Sequence, residues 1–310
     1  DRQNKIRNAS VLVVGVGGLG CPALQYLASA GVGRIGIADH DHVAASNLQR
    51  QILFHISDID KKKVTVAAQK LKYLAPFTDF QEMIISVNES NVIELISSYD
   101  IILDCTDNFH TKFLLHDASF LQKKILIQAS VYQYEGQLHS FDFRKQTGPC
   151  LRCLWAEEPQ DGCTGTCADV GVIGPLLGVL GSLQAMEALK KITSMPSVKN
   201  GESIFVDLMS LSVDKRRFKT QIGCVCCEKK DISLDTQLEV EMPVDLSAYQ
   251  VVDVRSISEH QSCIHMSRLM TQYHILNVPL SEIENFKPER GVKYLLVCEK
   301  GLRSLSAARI

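Results

Sequence analysis

A glycine-rich run and a later aspartate have the spacing of a nucleotide site. Gly15, Gly17, Gly18 and Gly20 follow a short apolar segment and open an apolar helical pattern. Backbone N–H groups without a side chain can approach a phosphate, and the dipole of a helix that begins there favours negative charge. Asp39 lies 24 positions after Gly15, where a carboxylate can accept hydrogen bonds from ribose hydroxyls. Alone, this pattern is typical of an oxidoreductase that uses NAD or FAD.

Three further features favour a triphosphate. Asn47 and Arg50 lie in Ser-Asn-Leu-Gln-Arg-Gln, and an arginine pairs with two phosphate oxygens at once. Lys63 opens a helical pattern and could reach the same phosphates, although a solvated lysine run is the simpler reading of that segment alone. Asp107 and Asn108 follow an apolar strand pattern, and a carboxylate at the carboxyl end of a central strand faces the ligand crevice. We therefore expect Asp107 to bind Mg²⁺ together with substrate phosphates.

Two CxxC pairs predict a metal site. Cys150 and Cys153 form the first pair, and Cys224 and Cys227 form the second about 70 residues later. Four thiolates at this spacing can close one tetrahedral Zn²⁺ site with no open position, and four unrelated thiols are the alternative. Cys226 has the wrong spacing and is expected to take no part.

Two other cysteines are candidate nucleophiles. Cys167 lies in a polar, Gly-rich segment, which predicts an exposed thiol that either attacks a substrate or has no function. Cys298 ends an apolar strand pattern and precedes Gly301 and Arg303, so a helix dipole and a guanidinium would favour its thiolate. The alternative for Cys298 is an inert core thiol.

The bulk composition excludes several classes of protein. The chain of 310 residues has a net charge of −2 and scattered basic residues, which argues against binding to nucleic acid. No apolar run reaches the roughly 18 residues that a membrane span needs. Eleven cysteines that include CxxC pairs favour metal and thiol chemistry over disulfides, and with no signal peptide we expect a cytoplasmic protein.

These candidate residues need an alternating α/β framework to position them. The predicted early strands are Val11–Val14, Ile35–Ala38, Met83–Val87, Ile101–Leu103 and Ile125–Gln128. Helical patterns lie between them, which predicts βαβ units, a Rossmann-like doubly wound sheet and helices on both faces. Alternation over 136–143, followed by strand patterns at 204–208 and 211–220, predicts an antiparallel extension beyond a long helix at 175–192.

A change in composition divides the chain. The segment 229–245 is polar and charged, which predicts a linker between a first domain at 1–228 and a second α/β domain at 246–310. The second domain is expected to be incomplete, because 310 falls inside a helical pattern.

The motifs of residues 4–228, taken together, resemble the adenylation domain of the MoeB, ThiF and ubiquitin-activating enzyme family. The resemblance implies ATP, with Asp39 at the ribose, Asn47, Arg50 and Lys63 at the phosphates, and Asp107 at Mg²⁺. It also implies a structural zinc and a homodimer in which Arg2 reaches the partner's ATP site. The substrate would be the C-terminal carboxylate of a ubiquitin-like sulfur-carrier protein, with a MoaD-like carrier preferred and ThiS-like or tRNA-thiolation carriers as alternatives.

The two candidate thiols fit the same resemblance. Cys167 lies in a segment similar to one in which a family thiol attacks the acyl-adenylate or resolves a persulfide. Residues 246–310 resemble a rhodanese-like sulfurtransferase, in which Cys298 would carry sulfur from a donor such as a cysteine desulfurase or thiosulfate. An oxidoreductase is disfavoured by Arg50, Lys63 and Asp107 together. A non-catalytic scaffold is disfavoured because the expected nucleotide-site residues are all present.

Overall fold

The computed structural model describes residues 1–145, 148–159, 171–232, 234, 249–257, 275–289 and 292–297. The chain divides into two compact units, Asp1–Leu234 and Asp235–Ile310. Cys167 and Cys298, which the sequence identifies as candidate nucleophiles, lie outside the described residues.

An eight-stranded mixed sheet is the centre of the first unit. Its order is β3-β2-β1-β4-β5-β6-β7-β8. The pairs from β3 to β5 are parallel and the pairs from β5 to β8 are antiparallel. The strands are β1 Ser10–Val14, β2 Arg34–Ala38, β3 Asp79–Met83, β4 Ile101–Asp104, β5 Ile125–Tyr132, β6 Glu135–Asp142, β7 Glu202–Asp207 and β8 Ser212–Arg217. The predicted α/β class and antiparallel extension are therefore confirmed.

Helices cover both faces of this sheet. They are α1 Arg2–Arg7, α2 Gly20–Ser29, α3 Lys63–Leu74, α4 Val92–Ser97, α5 Phe109–Leu121, α6 Leu151–Leu154 and α7 Gly174–Ile192. Alternate side chains of β1 separate two cores: Val11 and Val13 pack with α2, α3 and α7, whereas Leu12 and Val14 pack with α4 and α5. Burial on both sides explains why β1 reads as a continuous apolar run.

The third strand differs from the sequence prediction. We expected Met83–Val87, but the strand is Asp79–Met83 at the edge of the sheet. Met83, Ile85 and Val87 are partly buried and pack against the core beside α4 and α5. Ile85 and Val87 do so although they lie beyond the end of the strand. Apolar periodicity reports burial, and burial here does not require a strand partner.

In the second unit, the described residues form a parallel three-stranded sheet. Its order is β10-β9-β11, with β9 Gln250–Asp253, β10 Ile275–Asn277 and β11 Tyr294–Val297. Val252, Val254 and Ile283 form a small buried core. Within the part of the chain that the structure describes, no helix is long and apolar enough to cross a membrane.

Candidate active site

The glycine loop joins β1 to α2 in a tight turn. Gly15 has φ of +92°, and a Cβ there would lie 2.8 Å from the carbonyl oxygen of Cys105. A Cβ on Gly20 would lie 2.0 Å from the carbonyl oxygen of Gly15, so these two glycines allow close backbone packing. Gly17 differs, because the nearest atom to an added Cβ is Nε2 of Gln51 at 3.9 Å. The loop therefore leaves open space at Gly17, where a phosphate could approach.

Asp39 ties the end of β2 to this loop. Its Oδ2 accepts a hydrogen bond from the backbone N–H of Val16 at 2.7 Å, and its Oδ1 accepts from that of Asp41 at 2.8 Å. A carboxylate has about four acceptor positions, so others are left for ribose hydroxyls. Asp39 is only partly buried, which is compatible with that role.

Lys63 lies beside this acidic segment. Its side chain is 6% exposed, and its Nζ lies 2.9 Å from Oδ2 of Asp41. The backbone N–H of Lys63 also donates to the carbonyl of Asp41, which fixes the start of α3 against the segment after β2. The ammonium is thereby held near the ends of β1 and β2.

The turn that carries Asn47 and Arg50 packs against α7. An added Cβ on Gly174 would lie 2.8 Å from the carbonyl oxygen of Gln49 and 3.5 Å from Cα of Arg50. Nη1 of Arg50 donates to the carbonyl oxygen of Ser46 at 3.1 Å. Both Asn47 and Arg50 are partly buried, so the turn presents them in fixed positions.

Gln51 is a buried residue that the sequence reasoning did not single out. It is 4% exposed, and its Oε1 has no hydrogen-bond partner among the residues that the structure describes. A buried polar atom without a partner is costly, and a bound polar ligand is one way to satisfy it. Oε1 is an acceptor, so a hydroxyl or amino group of a ligand would satisfy it, whereas Nε2, the atom nearest the open space at Gly17, can donate to a phosphate.

The segment after β4 brings Asp107 to the same edge of the sheet. β1 and β4 are neighbours in register, with Val14 opposite Asp104, and the N–H of Cys105 donates to the carbonyl of Val14 at 2.8 Å. Asp107 is exposed, so its carboxylate is accessible to a metal ion. Oδ1 of Asn108 instead accepts from the N–H of Thr111 at 2.8 Å and caps α5, so the atom of this side chain that could serve a ligand is its amide nitrogen, as a donor.

The four cysteines of the CxxC pairs converge. Cys150 Sγ lies 3.9 Å from Cys153 Sγ and 3.7 Å from Cys224 Sγ, and Cys153 Sγ lies 3.3 Å from Cys227 Sγ. Four thiolates around one Zn²⁺ at about 2.3 Å lie about 3.8 Å apart, so the donor set fits zinc. A hydrogen bond with Cys226 and burial raise the pKa of Cys150. A bound cation is what would hold that thiol deprotonated.

A buried polar network supports the first CxxC pair. Nε2 of His116 accepts from the N–H of Leu151 at 3.2 Å, and Nδ1 of His116 lies 2.8 Å from Oδ1 of Asp117. Arg152 donates to both oxygens of Asp117, at 3.0 and 2.6 Å. Burial raises the pKa of Asp117, but the hydrogen bonds from His116 and Arg152 outweigh it and lower the pKa. The network fixes residues 151 and 152 between two of the cysteines.

Comparison with known proteins identifies the family. The sequence profile of the ThiF family matches residues 1–226. The chain belongs to the ThiF family. It is 38% identical to a sulfur carrier protein adenylyltransferase of Thermus thermophilus over 73% of this chain and 84% of that protein. It is an adenylyltransferase of this family.

Other relatives are longer, and solved structures share the fold. The chain is 41% identical over 67% of its length to adenylyltransferase and sulfurtransferase MOCS3 of Xenopus laevis, of which it spans 46%, about half. A crystal structure of E. coli MccB with ATP has a TM-score of 0.65 and 20% identity, and the match covers 73% of this chain and 69% of that one. At this identity the likeness shows the fold alone.

The position of Arg2 bears on the arrangement expected of a ThiF dimer. Nε2 of Gln3 donates to the carbonyl oxygen of Ala30, directly after α2, whereas the glycine loop precedes α2. A ten-residue helix is about 15 Å long, so Arg2 lies at the far end of α2 from the glycine loop of its own chain.

Sequence reasoning about this ThiF domain missed several buried polar residues. Besides Gln51, they are Asp104, Lys112, His116, Asp117 and Gln184, and the partly buried Arg152 joins them through Asp117. A charged residue inside a helical pattern is usually solvent-exposed, so its type gives no signal of burial. The sequence offered one signal that these residues are buried, which was their spacing. Lys112 and His116 are four residues apart and therefore share a face of one helix.

Proposed function

We propose that this protein uses ATP to adenylate the C-terminal glycine carboxylate of a ubiquitin-like sulfur-carrier protein. The observation that supports this most strongly is the convergence at the carboxyl ends of β1, β2 and β4. The glycine loop, Asp39 and Asp107 lie at that edge of the sheet, with Lys63 held beside them. Neither hydride transfer nor a scaffold role needs the buried ammonium of Lys63 and the exposed carboxylate of Asp107 at this edge of the sheet.

The reaction is a substitution at the α-phosphorus. A carboxylate oxygen of the carrier attacks that phosphorus, its bond to the bridging oxygen of the β-phosphate breaks, and pyrophosphate leaves with the electron pair. The product is a mixed anhydride of the carrier and AMP. Lys63 and Arg50 stabilise the negative charge on the phosphate oxygens, and Asp39 orients the ribose. No residue needs to form a covalent bond in this step.

Two metal ions complete the proposal. Asp107 and the phosphates would hold Mg²⁺, which would neutralise negative charge on the leaving pyrophosphate. Zn²⁺, bound by Cys150, Cys153, Cys224 and Cys227, has a structural role, since four thiolates leave no open position for a substrate. It would clamp the segment after β6 to the segment after β8.

We further propose that the chain transfers sulfur to the adenylated carrier. Cys298, directly after β11, would attack the terminal sulfur of thiosulfate, releasing sulfite, or of a desulfurase persulfide, releasing the desulfurase thiolate. The persulfide so formed would displace AMP from the adenylated carrier. Cys167 would act as the second thiol, whose attack on the acyl persulfide releases the thiocarboxylate and leaves a disulfide for an external thiol to reduce.

The carrier and the assembly are also proposals. A MoaD-like carrier is preferred because the first domain resembles MoeB, and ThiS-like or tRNA-thiolation carriers are alternatives. We propose a cytoplasmic homodimer in which Arg2 contributes to the partner's ATP site, because its position in its own chain is remote from the glycine loop.

The test is incubation of each candidate carrier with the enzyme, ATP and Mg²⁺, followed by mass spectrometry of the carrier and measurement of ATP–pyrophosphate exchange. We expect an AMP adduct on one carrier class and exchange that depends on it. A carrier without its terminal glycine is the matched control and should give neither signal. Binding of NAD in place of ATP, with no exchange for any carrier, would support an oxidoreductase. Binding of neither nucleotide would support a scaffold.

A further inference from the structure

The carboxylate of Asp104, at the end of β4, is fully enclosed and fully hydrogen-bonded. It has 0% exposure, and its Oδ1 accepts from the backbone N–H of Thr106 at 3.0 Å and from the hydroxyl of Thr106 at 2.6 Å. Its Oδ2 accepts from Nζ of Lys112 at 3.2 Å and from Nε2 of Gln128 at 2.9 Å. Four donors occupy the acceptor positions of a carboxylate, so Asp104 has none left for a metal ion.

Lys112 is the charge that makes this burial possible. Its side chain is 9% exposed, and its Nζ also donates to the carbonyl oxygen of Ala129 at 2.7 Å. Lys112 lies in α5, so it connects that helix to the end of β4 and to the middle of β5. An isolated buried carboxylate is strongly unfavourable, and a buried ion pair is tolerated when further hydrogen bonds support it. Here Asp104 accepts from four donors and Lys112 donates to two acceptors.

A second set of hydrogen bonds holds the same segment from α7. Nε2 of Gln184 donates to the carbonyl oxygen of Asp104 at 2.8 Å and to that of Ile127 at 3.2 Å. The thiol of Cys105 donates to Oε1 of Gln184 at 3.3 Å. Residues 104–106 are therefore fixed by side chains from both faces of the sheet.

The exposed carboxylate of Asp107 lies between two fixed points. Thr106 before it is bonded to Asp104, and Asn108 after it caps α5. Lys112 belongs to that same helix and bonds to that same aspartate. The ion pair thus sets the distance between the end of β4 and the start of α5, which is the segment that presents Asp107.

We propose that Asp104 and Lys112 are positioning residues for the adenylation reaction: their buried ion pair holds Asp107 where it binds Mg²⁺ with the phosphates of ATP. This inference rests on the proposed function. Neither residue touches substrate or metal, and both act through the segment 105–108. A misplacement of about 1 Å in a catalytic group can cost about 100-fold in rate, so a small displacement of this segment is enough to matter.

The test compares the Mg²⁺ requirement of variants at fixed ATP and carrier, with ATP–pyrophosphate exchange as the readout. Lys112→Met removes the charge and keeps most of the aliphatic stem. We expect maximal exchange to fall at least about tenfold and the Mg²⁺ concentration for half-maximal exchange to rise about tenfold, since the metal site is displaced. Lys112→Arg, which restores the charge, should recover both values to within about threefold. Lys72→Met, at an exposed lysine of α3, is the matched control and should behave as wild type.

A purely structural role predicts a different outcome. If the ion pair had only a structural role, Lys112→Met would have a lower yield and melting temperature, and its folded fraction would keep the wild-type Mg²⁺ requirement. An unchanged Mg²⁺ requirement would overturn the proposal. If Lys112→Met does not fold, Asp104→Asn/Lys112→Met replaces it, because the double variant leaves no uncompensated buried charge. It should fold and show the raised Mg²⁺ requirement, and a wild-type requirement would again overturn the proposal. If the wild-type enzyme shows no exchange with any carrier, the proposed function fails instead.

Discussion

Gln3, in the first helix, donates a hydrogen bond of 3.1 Å from its Nε2 to the carbonyl oxygen of Ala30. This bond joins the first helix to the end of α2 that is remote from the glycine loop. Lys5 of the same helix donates to the hydroxyl of Ser194, just after α7. These contacts hold the neighbouring Arg2 away from the carboxyl ends of β1 and β2 in its own chain. A role for Arg2 in adenylation therefore requires a second subunit.

That arrangement predicts complementation between two inactive variants. Arg2→Ala and Asp107→Ala should each lose carrier-dependent exchange as homodimers. In a mixed dimer, the site on the Arg2→Ala subunit has an intact Asp107 and receives Arg2 from the other subunit. Co-expression with two affinity tags, followed by purification of the mixed dimer, should recover about half of the wild-type activity per dimer, since one of two sites is complete. A fully active monomer by light scattering would rule out the arrangement.

Asp107→Ala should abolish carrier-dependent exchange and leave the fold intact. The reason is that an exposed carboxylate at the end of a parallel strand is the expected Mg²⁺ ligand, and its removal costs only transition-state stabilisation. Arg50→Ala should lower exchange through lost charge stabilisation. Circular dichroism checks the fold, and Asp214→Ala, at an exposed position of β8, is the control. Near-normal exchange by Asp107→Ala would refute the assignment.

The purified protein should contain one Zn²⁺ per chain. Cys153→Ser should release the metal and lower the melting temperature, because structural zinc contributes directly to the free energy of folding. Cys226→Ala should keep the metal, since Cys226 stands outside the paired spacing. Elemental analysis and thermal unfolding provide the measurements. Well-folded wild-type protein without zinc contradicts the prediction.

The pH dependence of stability should include a contribution from Asp58. Burial raises its pKa, but its hydrogen bonds with Lys70 and with the backbone of His55 outweigh burial, so the pKa lies below its usual range. The unfolded chain then binds a proton at higher pH than the folded one. The stabilisation is complete above the unfolded pKa of about 4 and disappears as pH falls through the folded value. Urea unfolding between pH 7 and 3 should show a shallower acid slope for Lys70→Met than for wild type. Equal slopes would show that the pair contributes nothing.

Sulfur transfer should depend on Cys298 without affecting adenylation. The Cys298→Ala protein, supplied with thiosulfate as the sole sulfur source, should form the carrier adenylate and lose thiocarboxylate formation. Cys167→Ala should show a separate defect after adenylation, because it removes the second thiol. Mass spectrometry of the carrier distinguishes the two products. Wild-type thiocarboxylate formation by Cys298→Ala would leave only the adenylation half of the proposal.

The sequence was sufficient for features that local chemistry determines. The glycine loop follows from steric limits at Gly15 and Gly20. The alternation at the start of β6 follows from a sheet with two different faces, whereas residues 138–141 of the same strand are all buried. The edge strand Asp79–Met83 was misplaced because side-chain burial at Ile85 and Val87 imitates a strand. The helical pattern between the fourth and fifth strands was recognised, but the burial of Lys112, His116 and Asp117 on α5 was missed. Each is buried against a partner distant in the chain, and no local pattern reveals such a partner.

Helix α5 has a further consequence for how variants of this protein should be interpreted. Lys112 on this helix bonds to Asp104 beside the proposed nucleotide site, and His116 and Asp117 on the same helix hold the segment between Cys150 and Cys153. A mutational scan that selects only for loss of adenylation should therefore recover substitutions around the cysteines as well as around ATP. Growth in zinc-limited medium would separate the two groups, because added zinc can rescue weakened metal binding and cannot replace a missing phosphate contact.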